Sequence, residues 1–484
     1  MINPPLVARL TGWIVVVFSA AFLPALAAAL LHGDGSAPWF AGSAAAVLAL
    51  GGTLLKLGAA AERQEPRYRD SLAVVGLAWF LISLAGALPY LFSGRLDFWS
   101  AVFESFSGFS STGATAVPDL RLFSKSLLLW RSFSQWLGGM GIIVLMVAVL
   151  PFLGVGGQLM LKNEVSGPSS DKLRPRVAQT AKILWGVYLV LTALLTILLA
   201  LGGLSFFDAL CHSLTTISTG GFSNYNESAA VHQSYYVLTV LMIFMFLGSL
   251  SFALYWQALT GRWRALAFNR EVIFLAAVVL VAALLSTTAL ARSGRFESTG
   301  LAFYHSLFQA ISVVSTTGFS TDDWSAWPSL SKAVIFFLFF VGGCSGSTSG
   351  GVKCIRWLLL FKSVNRACRR LIRPRAVFPV RLQGKTIDEE VLDGVWLFLV
   401  VYFLTMAVAA LALCAMGLDL SSALSAAASA LGNVGPALGG IGAVGTYADL
   451  PGAAKGLLSL CMLLGRLELY SFLVLFFPEF WSKR

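Results

Sequence analysis

Charged side chains are scarce in this sequence: aspartate, glutamate, lysine and arginine make up 12% of its 484 residues, against 57% hydrophobic. That balance, with a mean hydropathy of +0.79, excludes a water-soluble globule, which needs a polar exterior. Histidine is scarcer still, and His32, His212, His232 and His305 stand at no metal-ligand spacing. The six cysteines (Cys211, Cys344, Cys354, Cys368, Cys414 and Cys461) form no CxxC pair, so they read as small buried residues without redox or metal chemistry. No GxxxxGK[ST] phosphate loop occurs, and no histidine with an aspartate is placed to activate a serine, so the stretch GCSGSTSGG has no enzymatic reading. A cleavable leader is not expected either. The apolar run after Arg9 is longer than a signal core, and no small-residue cleavage site follows it.

What is present is lipid-compatible sequence. A spanning helix needs about 20 mostly apolar residues to cross roughly 30 Å of hydrocarbon. Ten runs qualify, near 10–31, 38–61, 71–92, 125–150, 178–201, 234–259, 272–291, 330–360, 394–416 and 455–477. Basic residues set the orientation. With the N-terminus inside, the inner segments hold Arg63, Arg67 and Arg69, then Lys162, Lys172, Arg174 and Arg176, then Arg262, Arg264 and Arg270, and finally the series from Lys353 to Lys385. Together with Arg9, Lys483 and Arg484 these are most of the 34 basic residues, as the positive-inside rule requires, with both termini cytoplasmic. The net charge of +11 is thus mostly topology, and no nucleic-acid partner is implied. The run RACRRLIRPR suits anionic membrane lipid or a cytosolic partner, and equally a solvated connecting helix.

Between the apolar runs lie four related interruptions: SSTGATAV (110–117), ISTGGFSN (217–224), VSTTGFST (314–321) and LGNVGPAL (431–438). Aligned on Gly113, Gly221, Gly318 and Gly435 they recur about every 100 residues, an internal repeat that governs the fold. Each unit reads as a long apolar helix, a short amphipathic helix ending at the glycine motif, a polar outer loop and a second long helix. Asp97, Asp208 and Asp419 stand near the starts of three short helices, where a carboxylate suits an N-terminus. Such helices reach only mid-membrane, and the chain then returns as exposed backbone, which lipid tolerates only along a water-filled path. Small residues in these turns allow successive carbonyl oxygens to face one axis and replace the water shell of a monovalent cation. The expected fold is therefore an all-α polytopic membrane protein of four tandem helix–pore loop–helix repeats in a pseudo-fourfold arrangement around one pore. Two extra helices precede them: residues 1–65, then repeats at 66–155, 172–265, 268–365 and 385–484.

A second feature interrupts the third repeat. Between Gly342 and Gly351 (Gly342, Gly343, Cys344, Ser345, Gly346, Ser347, Thr348, Ser349, Gly350, Gly351) five glycines and four serines or threonines cannot hold a lipid-facing helix, so the segment must line a cavity. Arg466, inside the last apolar run, is costly in lipid and belongs against a polar interior. Asp322 and Asp323 follow the third motif and read more readily as a solvated loop than as a cation-gathering mouth. Glu104 is expected to fix the first short helix by hydrogen bonding rather than to bind an ion.

The repeat with STGA, TGGF, TTGF and NVGP at its turns closely resembles the superfamily of potassium transporters that includes TrkH, TrkG, KtrB and the plant HKT proteins, and it does so along the whole chain. The leading helix pair and the tail LLGRLELYSFLVLFFPEFW resemble the TrkH/TrkG branch of bacterial potassium uptake proteins. The resemblance implies potassium binding, mainly by backbone, at Ser111, Thr112, Gly113, Thr219, Gly220, Gly221, Thr316, Thr317, Gly318, Asn433, Val434 and Gly435. It implies a gate formed by loop 342–351 and Arg466, and potassium over sodium, since sodium-passing members carry serine at the position of Gly113. It further implies the bacterial inner membrane, a homodimer and a cytosolic TrkA-type RCK ring. No covalently bound cofactor is expected, with ATP/ADP or NAD(H) acting only through that ring. The alternative is a potassium symporter coupled to H+ or Na+, since broken helices and midplane charges also occur in secondary transporters.

Overall fold

The computed structural model describes residues 2–61, 66–149, 174–382, 385–442 and 445–481. Lys162 and Lys172 of the second inner segment, Arg63, Lys483, Arg484 and the repeat boundaries at 155 and 172 lie outside the described residues.

The chain is almost wholly helical, as the apolar runs require, because inside lipid only a helix or a closed barrel satisfies its own backbone. The leading pair comprises Pro4–Phe18 continued through a 3-10 turn to Leu23–His32, and Ala37–Leu57. Asn3 caps the first helix by accepting from the Leu6 N–H at 3.2 Å, and Gly33 in a left-handed conformation (φ 60°) ends it. Small residues let the two helices approach: a methyl carbon on Gly51 would lie 2.6 Å from a Val16 side-chain carbon. Asp34, in the connecting turn, accepts from the Ser126 hydroxyl at 2.6 Å and docks the pair on the first repeat.

Each repeat then supplies a long first helix, namely Tyr68–Ala85, Arg174–Leu201, Arg270–Ser293 and Glu389–Ala415. Each also supplies a short pore helix: Phe98–Phe109, Phe206–Ile217, Thr299–Val314 and Leu420–Gly432. The starts of the pore helices follow capping chemistry. Asp97 and Asp419 accept from the Ser100 and Ser422 N–H groups at 3.4 and 3.0 Å. Ser205 accepts from the Asp208 N–H at 3.1 Å, and Ser298 from the Leu301 N–H at 3.2 Å. The pore helices sit in the interior, whereas the long helices present apolar residues such as Val190, Val281 and Leu411 outward, as lipid-facing surfaces do.

The second helices depart from expectation. Only the third was expected to be interrupted, yet all four are broken. Lys125–Val149 contains Gly141 at φ 67°, ψ 164°, outside the helical region. Tyr235–Gly248 and Phe252–Leu259 meet at 95° across Ser249–Ser251. Ser329–Leu338 and Cys354–Ile372 are separated by the glycine-rich segment. Gly452–Arg466 ends before Glu468 and Leu469, both left-handed at φ 54° and 60°. The runs at 125–150, 234–259 and 455–477 are therefore not single unbroken helices. Hydropathy misses these breaks because it reads side chains and not where backbone hydrogen bonds go. A two-residue strand pair joins Arg381 to Thr386 and Leu382 to Lys385, and one smaller correction concerns the cysteines: Cys368 is exposed and Cys414 only half-buried against the core.

Candidate ion pathway

All four pore helices end alike. Past its last turn each chain places one residue in the left-handed region: Ser111, Thr219, Thr316 and Asn433, at φ 54°, 53°, 58° and 53°. The N–H of that residue reaches back three positions and the next N–H reaches back five. In the first repeat these bonds are Ser111 N to Gly108 O and Thr112 N to Ser107 O, both 2.9 Å. The later repeats repeat the five-residue bond from Gly220 to Thr215, Thr317 to Ser312 and Val434 to Ser429, at 2.8, 2.9 and 2.9 Å. This is the Schellman termination, which usually places glycine at the left-handed position. Here polar side chains stand there and are tied in place. The Thr316 hydroxyl accepts from the Gly350 N–H at 2.8 Å, and the Asn433 amide donates to Thr112 Oγ1 at 3.0 Å and to Met462 O at 2.8 Å. Strain of about 1–3 kcal/mol per such residue persists only where the surroundings hold it.

Two residues further on come the four glycines, again at positive φ (Gly113 83°, Gly221 72°, Gly318 80°, Gly435 104°). A methyl carbon on Gly113 would lie 2.0 Å from the Gly220 carbonyl oxygen, one on Gly221 1.7 Å from Thr317 O, one on Gly318 2.2 Å from Val434 O, and one on Gly435 2.5 Å from Thr112 O. The sequence of neighbours runs first, second, third, fourth and back to first, so the four turns form a closed ring around one axis. All four glycines line a cavity of about 60 Å³, with Arg131, Tyr225, Ser228, Pro436 and Tyr447 among its walls. The twelve positions expected to bind potassium thus come together, and glycine is required where any side chain would meet the next turn's carbonyl.

Three side chains not singled out from the sequence brace this ring. Arg131 donates to Glu104 at 2.7 Å, with both side chains buried, and to the Ser223 carbonyl at 2.9 Å, joining the first turn to the second. Glu104 also accepts from the Ala116 N–H at 2.8 Å and from the Thr115 hydroxyl, the hydrogen-bonding role the sequence suggests. Gln135 donates to Gly220 O at 2.8 Å and accepts from the Phe222 N–H at 3.0 Å. Tyr447 donates its hydroxyl to Gly435 O at 2.9 Å, and its N–H to Thr115 O at 2.8 Å. The available signal was an ionisable or amide side chain inside an apolar run, the rule that picked out Arg466.

Segment 342–351 packs on the side of the ring opposite the cavity. Thr348 donates its hydroxyl to Ile217 O at 3.0 Å and Gly248 O at 3.1 Å, Cys344 N–H meets Ser249 O at 2.9 Å, and Phe252 N–H meets Gly346 O at 3.1 Å. A methyl on Gly350 would lie 2.6 Å from Gly432 O. Gly342 N–H bonds Val352 O at 2.9 Å, Gly343 N–H bonds the Ser349 hydroxyl at 3.1 Å, Ser347 donates to Cys344 O at 2.7 Å, and Gly351 turns at φ 69°. Arg466 donates to Thr348 O at 2.7 Å, to Gly138 O at 2.5 Å and to Gly139 O at 2.8 Å. The breaks in all four second helices are thereby stitched into one layer beneath the ring, and their freed backbone groups satisfy one another. Glu468, two residues beyond Arg466, pairs instead with Arg356 at 2.5 Å.

At the mouth, Asp322 is not simply solvated: Arg295 grips it at 2.7 and 2.9 Å, and the Trp327 indole donates to it at 2.7 Å. Asp323 caps a 3-10 turn by accepting from the Ser325 N–H at 3.0 Å. His212 hydrogen-bonds Asp208 O at 2.8 Å, and His305 meets the Thr321 hydroxyl at 2.9 Å, both packing roles.

A family model described as TrkH, cation transport protein, matches residues 39–483. The Trk system potassium uptake protein TrkH of Salmonella typhimurium is 37% identical over 485 residues, 99% of each chain. The corresponding TrkI of Halomonas elongata is 41% identical over 410 residues, covering 84% of this chain and 83% of its own. The crystal structure of the potassium transporter TrkH from Vibrio parahaemolyticus matches with a TM-score of 0.88 at 35% identity, over 99% of both chains. Likeness along the full length, and not at the turns alone, makes this multi-pass membrane protein a member of the TrkH family of cation transport proteins, a family of transporters and not of enzymes.

Proposed function

We propose that the protein carries potassium into the bacterial cell across the inner membrane, through a filter lined by the carbonyl oxygens of the residues preceding and including the four glycines. The observation that carries this reading is the closed ring in which each glycine abuts the carbonyl of the next turn. Backbone oxygens so gathered replace the hydration of an alkali cation, and the four pore helices direct their negative ends toward the same place. The relatives bear the names of potassium uptake proteins, which agrees with this chemistry. Segment 342–351 and Arg466 act as the gate: the segment covers the inner side of the ring, and the guanidinium holds it by the Thr348 carbonyl. Two such chains form the working dimer. A cytosolic TrkA-type ring regulates it, and that ring alone binds nucleotide.

The test is flux into liposomes holding the purified protein. Potassium and rubidium should enter and sodium should enter poorly; equal entry of sodium would overturn the filter reading. A reversal potential set by potassium alone supports a passive pore, whereas one that moves with pH or sodium identifies the coupled alternative.

A further inference from the structure

The gating segment is held on one flank by a cation, Arg466. Its other flank meets an anion. Glu271 stands in the first turn of the helix Arg270–Ser293, where Asn269 caps the helix by accepting from the Glu271 N–H at 2.8 Å. A carboxylate at that position interacts favourably with the positive end of its own helix. It is nevertheless mostly buried, with 8% of its surface exposed. One carboxylate oxygen accepts from the Ser345 N–H at 2.7 Å, across 74 residues of sequence.

Ser345 lies at the leading bend of the segment, between Cys344, whose N–H bonds Ser249 O, and Gly346, whose carbonyl accepts from Phe252. Those two bonds join the segment to another break, which belongs to the same layer and moves if the layer rearranges. Glu271 differs in kind. It belongs to an unbroken membrane-spanning helix, so it fixes the segment to a rigid element. Hydrogen bonds to a charged acceptor are about twice as strong as neutral ones, and a buried carboxylate that lost its donors would be left unsatisfied in a poorly solvated place.

We propose that Glu271 is a positioning residue that latches the intramembrane segment in its obstructing position by capturing Ser345, opposite the hold that Arg466 takes on Thr348. The proposal rests on the reading of segment 342–351 as the gate. Opening requires both of these holds to yield along with the segment's bonds to the pore-helix ends, the arginine by letting go of a carbonyl and the glutamate by letting go of an N–H. Glu271 touches no ion and takes no part in selectivity.

The experiment measures rubidium influx into liposomes containing the full-length protein without added partner. Glu271→Ala should raise influx roughly tenfold, the scale on which one charge-assisted hydrogen bond shifts a two-state equilibrium. Glu271→Gln keeps an amide oxygen able to accept from Ser345 and should bring influx back to between that of the parent and that of Glu271→Ala, which a merely charge-balancing role would not do. Rubidium-over-sodium preference should stay the same in both variants. Arg466→Ala is the control for the gate itself. Raised influx in Arg466→Ala with parental influx in Glu271→Ala overturns the latch and leaves the gate standing; parental influx in both overturns the gate. Influx in Glu271→Gln equal to that in Glu271→Ala overturns the hydrogen-bond assignment. Should the alanine variant fail to fold, Glu271→Asp, which withdraws the carboxylate by one methylene, should raise influx partway, and parental influx there overturns the latch.

Discussion

Arg131 donates its Nε to Glu104 at 2.7 Å, and both side chains are almost entirely withdrawn from solvent. The pair sits behind the ring of glycine turns and spans two repeats, since Glu104 holds the turn at Ala116 while Arg131 holds Ser223. Its guanidinium also stacks over the Phe222 ring, 4.1 Å from the centroid. Breaking such a pair by removing one partner costs about 3–5 kcal/mol, because an uncompensated charge stays buried. Arg131→Met should therefore lower the thermal unfolding temperature in detergent sharply, and Glu104→Leu combined with Arg131→Met should recover part of the loss. Equal melting of parent and single variant would show that the pair is not a brace.

Gly113→Ser places a carbon 2.0 Å from the Gly220 carbonyl oxygen at a backbone angle side chains avoid. That carbonyl must move, so potassium-over-sodium preference should fall by roughly tenfold, equivalent to about 1.4 kcal/mol. Flux ratios in vesicles measure it.

Gln135 serves one repeat's turn from another repeat's helix. Gln135→Leu removes the donor to Gly220 O and the acceptor for Phe222 N–H together. Selectivity should weaken while the amount of folded protein, read by size-exclusion chromatography, stays near that of the parent. Unchanged flux ratios would assign Gln135 to packing alone.

Arg466→Ala frees three carbonyls at Gly138, Gly139 and Thr348 and removes a positive charge from the path. Conductance should rise at least about tenfold, since even one charge-assisted hydrogen bond, about 1.5–3 kcal/mol, corresponds to that factor or more. A large fall in flux from normally folded protein contradicts the barrier reading.

The mouth loop carries a pH prediction. Burial pushes the Asp322 carboxyl up, but the hydrogen bonds from Arg295 and Trp327 outweigh it and hold the group below its ordinary value of 3.8. A depressed carboxyl stabilises the fold above its unfolded value and loses that contribution as pH falls through the folded one. The melting difference between the parent and Asp322→Asn should stay constant from about pH 8 to about pH 5 and shrink below about pH 4. A difference that disappears near neutrality would rule out this pair.

The sequence shows the pore turns because each needs the same small residues at one place, and a four-times-repeated requirement stands out against apolar background. The breaks at Ser249–Ser251 and after Arg466 do not show. The serines and leucine of the first and the short 467–469 stretch of the second leave the runs apolar on average, and only the hydrogen bonds of the assembled layer reveal why the helix stops. Arg131 and Gln135 were visible as polar residues in an apolar run, but their partners lie in other repeats, at Glu104, Ser223 and Gly220. Asp322 looked like a free surface charge because Arg295 is distant in sequence and adjacent only in the fold.

Carrying the four turns on one polypeptide also changes how the conduit can diversify. In an assembly of identical subunits every substitution is copied to each quadrant, so a small alteration is magnified fourfold. Here Gly113 and Gly435 belong to different codons, and Asn433 already stands where Ser111, Thr219 and Thr316 stand elsewhere. Any ion preference these turns set is therefore open to adjustment one quadrant at a time, while the long glycine-rich segment is confined to a single quarter.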